Sequence, residues 1–168
     1  MTRLMRDSTN LKDIPIHGTD LVAGYVNGNF IATEEDFARF PGIPHVHIDV
    51  LGTAPERAGV LDFEEGNPST AEDCVIWAKR RRAAFPHRYA PVIYCDRSHL
   101  TPLFNAMKTA GLHIERDFRL WIATLDGTKT VDDMTGVTAV QFAGADMTGG
   151  HFDESIVHDP EWHRVTHG

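Results

Sequence analysis

Short apolar runs that alternate with polar positions recur along the chain, each closing on polar or turn-forming residues, the pattern of strands separated by loops and helices. Leu21 to Val26 is apolar and stops at Asn27-Gly28-Asn29, which tolerates positive φ and suits a turn. Thr33 before Glu34, Glu35 and Asp36 reads as an N-cap with an acidic first turn, and Phe37 and Phe40 supply a buried face until Pro41-Gly42. His45 to Leu51 is a second strand, with His45, His47 and Asp49 on one face and Val46, Ile48 and Val50 on the other. Gly59 to Glu65 starts apolar and ends in carboxylates, and a helix follows from about Thr70 to Phe85. Pro91 to Cys95 leads through Asp96-Arg97-Ser98 into a helix reaching about Ala110, closed by Gly111. Phe118 to Thr124, Thr138 to Ala143 and Phe152 to Val157 are the remaining strands.

Strands that alternate with helices imply an α/β fold with parallel pairing through right-handed crossovers. About seven strands fit a reduced or irregular (β/α) TIM-like barrel or an open doubly wound sheet, and periodicity does not choose between them. The 168 residues read as one domain, with a core from about 20 to 158, a polar N-terminal segment from Met1 to Pro15, and a surface tail from Val157.

Charge narrows the function. With 24 acidic against 16 basic side chains, a formal charge of -8, nucleic acid is an unfavourable partner. The one compact basic run, Lys79 to Arg82, falls late in a helix, where it complements the dipole. Cys74 and Cys95 form neither a CxxC pair nor a disulfide framework, as expected of thiols in a reducing compartment. No apolar run approaches the ~20 residues of a membrane span and no signal peptide is evident, so the chain is expected to be cytoplasmic as synthesised. Action outside the cell would need another route.

In Asp62-Phe63-Glu64 two carboxyl groups share one face near a strand end. Like charges that close raise one pKa, and a carboxyl that keeps its proton can give it to a leaving group. The plain alternative is an acidic strand end in water. His45, His47 and Asp49 offer a three-ligand set for a divalent metal and hence a metal-dependent hydrolase; otherwise they are hydrogen-bonded groups of a polar barrel interior, with Asp49 joining the acidic groove. Cys95 beside Asp96 and Arg97 reads as a buried strand residue.

GVLDFEEG, VIYCDRS, LWIATLDG, AVQFAG and FDESIV, in this order from Leu21 to His158, resemble the lysozyme-like family 25 glycoside hydrolases, and look closest to small actinobacterial and phage-borne members. The resemblance implies a TIM-barrel hydrolase acting on β-1,4-linked amino sugars of bacterial cell walls without metal or organic cofactor. It implies Glu64 as proton donor and Asp62 as the partner that steadies the substrate's acetamido group or the oxocarbenium charge. Asp153 would be the carboxylate of the last strand, and Tyr94, Trp121 and Gln141 would line the sugar groove. That family opens with an aspartate-serine strand; here GYVNG stands first, with Asn27 where a carboxylate is expected, and one βα unit is expected to be missing before the DxE strand. Those departures keep a second reading open, a non-catalytic wall-binding or phage virion component on a degenerate barrel.

Overall fold

The computed structural model describes residues 2–67, 69–86, 88–130, 132–159 and 161–162. Eight strands close into a barrel in chain order: β1 Arg3–Asp7, β2 Leu21–Tyr25, β3 His45–Asp49, β4 Val60–Asp62, β5 Val92–Asp96, β6 Arg119–Ala123, β7 Val137–Ala143 and β8 Asp153–Val157. Closure excludes the open doubly wound sheet. All seven expected strands are present, and the eighth is β1, inside the segment read as a polar extension; the core therefore starts near Arg3 rather than residue 20. Three strands, not two, precede β4, so the expected loss of a βα unit does not occur. β1 escapes periodicity because the face it turns inward carries Met5 and Asp7, with a carboxyl where an apolar residue would mark the alternation.

β1 to β7 run parallel, whereas β8 is antiparallel to both of its neighbours, β7 and β1. The link of residues 144–152 is shorter than the roughly dozen residues that a parallel crossover needs, so the chain turns straight back. Consequently β8 begins, at Asp153, on the face of the barrel where the seven parallel strands end.

Helices α1 (Glu34–Ala38), α2 (Ala71–Ala84), α3 (Leu100–Thr109) and α4 (Ala145–Thr148) follow β2, β4, β5 and β7. The links after β3 and β6 carry no helix among the described residues, which is how so short a chain closes eight strands. Thr33 and Thr70 close reciprocal capping boxes with Asp36 and Asp73, as their spacing predicts. Leu61, Phe63, Trp77, Leu103 and Leu120 pack between the barrel wall and the α2–α3 pair. Phe37 and Phe40 are buried as expected. Arg81 is the exception within the basic run: it is buried and donates to the Pro55 carbonyl at 2.9 Å. Among the described residues no helix is long and apolar enough to cross a membrane.

Met5, Leu21, Ala23, Val46, Ile48, Val60, Val92, Ala139 and Val157 fill the barrel. The segment after Val157 is not a surface extension where it is described. Trp162 is fully buried and meets Trp121 edge-on at 5.8 Å, while Asp159 accepts from Tyr89 and Arg119. An indole too large for solvent thus seals the barrel floor. Residues 163–168 of the expected tail lie outside the described residues.

Candidate active site

The period of two explains how the site is assembled. Val60 points into the barrel and Leu61 out of it, so Asp62 points in and Phe63 out, and the extended chain, held by Phe63 N–H to Tyr94 O at 2.9 Å, carries Glu64 inward again at the mouth. Tyr25, Tyr94, Trp121 and Gln141 reach the same mouth from the ends of β2, β5, β6 and β7. On the antiparallel side Asp7 stands directly opposite Asp153. Next to them Arg6 and Glu154, also directly opposed but half-buried on the other face, form an ion pair at 2.8 Å that holds this register. The alternation that turns the ion pair outward turns both aspartates inward.

Two adjoining cavities result. One, about 210 Å³, is lined by Asp7, Tyr25, Asp62, Glu64, Tyr94, Trp121, Gln141 and Asp153 together with Ile48, Leu125 and Gly144. The other, about 360 Å³, shares Tyr25, Asp62 and Glu64 and extends over the loops after β2 and β3. A larger hollow of about 780 Å³ between α2 and α3 contains none of the four converging carboxyls, and size alone does not make it the site.

Four carboxyls in one pit cannot all ionise freely. Burial, then repulsion from Asp153, Asp62 and Glu64, pushes Asp7 well above the usual carboxylate range. Burial and then Glu64 push Asp62 up to about 7, against a hydrogen bond from Asn67. Glu64 is raised by burial, opposed by its hydrogen bond with Tyr94 and assisted by Asp96 and Asp153. Asp153 is raised by burial, opposed by hydrogen bonds from the Ala145 backbone and the Gln141 side chain. Asp96, at the rim, goes the other way: burial would raise it, but hydrogen bonds from Ser98 and His99 hold it at about 2. One oxygen each of Asp7 and Asp62, both Oδ1, is buried with no hydrogen-bond partner among the described residues. Such groups are costly to leave unmatched and suit a ligand's N–H or O–H. The largest printed shift belongs to Asp62, not Glu64. Depth explains it, since Asp62 is 3% exposed whereas Glu64 is only half-buried at the mouth, where a substrate oxygen can reach it.

The remaining candidates fall elsewhere. Val46 and Ile48 take the barrel interior, so His45, His47 and Asp49 face outward, contrary to the polar-interior expectation. Phe37 lies 4.9 Å from both histidine rings, and His47 Nδ1 sits 3.2 Å from Arg57 O. Asp49 is fully buried and accepts from Trp77 Nε1 at 2.8 Å, Ala54 N at 2.6 Å and Asn27 Nδ2 at 2.7 Å, so it braces loops and lines neither acidic cavity. No group of three metal-ligating side chains is found among the described residues. Asn27 lines the second cavity, but its amide is committed, since Oδ1 also accepts from Val50 N at 2.9 Å. Trp121 is 1% exposed, with Nε1 donating to Ser155 at 3.0 Å, and forms the floor of the pit rather than an open stacking face. Cys74 and Cys95 are buried free thiols, both with raised pKa through burial.

Sequence reasoning missed Asp7 and Tyr25. Asp7-Ser8 is the only aspartate-serine pair in the chain, so the expectation placed on GYVNG belongs to β1, and the carboxylate that Asn27 lacked is present in Asp7.

No family model matches the chain. No curated protein matches it either. Among solved structures the fold is similar to that of an uncharacterized protein of B. stearothermophilus, with a TM-score of 0.66 at 13% identity over 94% of this chain and 96% of that one. It is similar to the spore cortex lytic enzyme SleM of Clostridium perfringens, with 0.60 at 18% over 94% and 67%. It is also similar to a muramidase from Acremonium alcalophilum, with 0.59 at 16% over 99% and 98%. At these identities the likeness is one of fold.

Proposed function

We propose that this chain is a glycoside hydrolase of muramidase type, which cleaves β-1,4 linkages between the amino sugars of bacterial cell walls. The observation that carries the reading is the convergence of Asp7, Asp62, Glu64 and Asp153 with Tyr94 on one pit at the strand ends, where burial and mutual repulsion keep protons on carboxyls. The fold shared with a muramidase and a cortex-lytic enzyme adds to it.

In this mechanism Glu64, at the mouth and hydrogen-bonded to Tyr94, protonates the glycosidic oxygen. Asp62 lies deeper on the same strand face and meets the acetamido group or the positive charge that develops at the anomeric carbon. Asp7 and Asp153, opposed across β1 and β8, hold the field negative on the far side of the pit, where an oxocarbenium-like charge is favoured. Tyr94 and Gln141 orient Glu64 and Asp153 respectively.

The two sequence features that favoured a non-catalytic wall-binding component, Asn27 and a missing unit, carry less weight now that Asp7 and three strands precede Asp62. Release of reducing ends from purified peptidoglycans and chitin oligomers over about pH 4 to 8 decides between them. Release by the wild type that vanishes in Glu64→Gln supports the hydrolase; no release by either protein, with wall binding retained, assigns the chain to the binding class.

A further inference from the structure

We propose that the cavity beside Asp62 and Glu64, over the loops after β2 and β3, is a second sugar subsite that seats the apolar face of an uncharged N-acetylhexosamine ring on Phe30 and Leu51. This rests on the glycosidase reading and names the substrate at one of its subsites. The two cavities share Tyr25, Asp62 and Glu64, so a chain of sugars whose scissile bond lies at Glu64 has one ring in the carboxyl pit and its neighbour here.

Phe30 and Leu51 line this cavity while 55% and 42% exposed, an arrangement that water alone does not favour. Sugar rings present C–H faces that pack on such side chains and polar edges that amides and hydroxyls meet. Thr9, Asn29 and Asn67 stand on the wall for that edge. Apart from Asp62 and Glu64 no charged side chain lines this cavity, and no Lys, Arg or His lines either one. A sugar bearing a free carboxylate would therefore meet carboxyl groups without a counter-cation, which selects an uncharged ring.

The platform is also rigidly built. Asn27 ties its own loop to the next through Asp49 and Val50 N. Gly28, at φ +82, lets the two loops approach until a Cβ there would lie 2.5 Å from Val50 Cγ1. A preorganised apolar surface binds with less loss of loop freedom.

The test is calorimetric titration of chitotetraose onto the Glu64→Gln protein, alone and combined with Phe30→Ala or Phe30→Trp, with free N-acetylmuramic acid and N-acetylglucosamine as competitors. Phe30→Ala should weaken chitotetraose about tenfold and Phe30→Trp should retain it, the loss expected for removing one ring contact. N-acetylglucosamine should compete better than N-acetylmuramic acid, which carries a free lactyl carboxylate. Undetectable binding, equal affinity in Phe30→Ala, or stronger competition by N-acetylmuramic acid overturns the subsite. Wild-type turnover is read separately: cleavage with no Phe30 effect removes the subsite alone, and a Phe30 effect without any cleavage removes the glycosidase reading and leaves the subsite.

Discussion

Replacing Asp62 by Asn should make the protein more stable and less active, and the gain should depend on pH. Burial and Glu64 raise Asp62 from an ordinary 3.8 to about 7, so the folded state holds this proton across a window in which the unfolded chain releases it. Native protein then binds more protons than unfolded protein, and stability falls as pH rises from 3.8 to about 7 and is flat above. At ~1.4 kcal/mol per pKa unit the full penalty is about 4 kcal/mol at neutral pH and above. With Asp62 3% exposed, solvent screening removes little, but relaxation of the pit around an ionised carboxylate plausibly halves the figure to about 2 kcal/mol. Asn keeps the shape and offers an amide N–H to the neighbouring carboxyls. For a domain of this length that is a rise in Tm of about 4 to 8 °C near pH 8 and almost none near pH 4. Urea unfolding of both proteins at the two pH values measures it. A gain of the same size at both pH values, or a loss near pH 8, would refute the electrostatic account of the pit.

Glu64→Gln should lower the release of reducing ends by about 10² to 10⁴, and wild-type activity should fall as pH rises through the raised pKa of Glu64, because the acid must carry its proton; a pH-rate profile reads both. Asp49→Ala removes the acceptor of the Trp77 indole and of the Ala54 and Leu51 amides, and should destabilise by about 3 to 5 kcal/mol in urea unfolding, with the metal content of the purified protein unchanged. Gly28→Ala, strained at positive φ and crowding Val50, should cost about 1 to 3 kcal/mol and raise KM more than it lowers kcat in assays on glycan chains.

Much of the wall was legible because it obeys simple periods. The seven strands from Leu21 onward, the Thr33 and Thr70 caps and the inward face shared by Asp62 and Glu64 all follow from short-range sterics and alternation. β1 was not legible, since its inward face ends in a carboxyl that helps form the site, and a polar functional face erases the alternation that marks a strand. His45, His47 and Asp49 were placed on one face correctly but on the wrong side of the wall. A period of two separates faces without saying which one a closed barrel turns inward.

The chain's own order of residues was enough to determine an α/β domain with polar strand ends and a DxE pair able to hold a proton, because these depend on neighbours a few positions apart. Only the tertiary structure decided that the strands close, that β8 runs backward and so brings Asp153 opposite Asp7, and that Trp162 seals the floor. It likewise decided which carboxyls share a pit, since the pairing of Asp7 with Asp153 spans nearly the whole chain and rests on barrel closure, which no local pattern encodes.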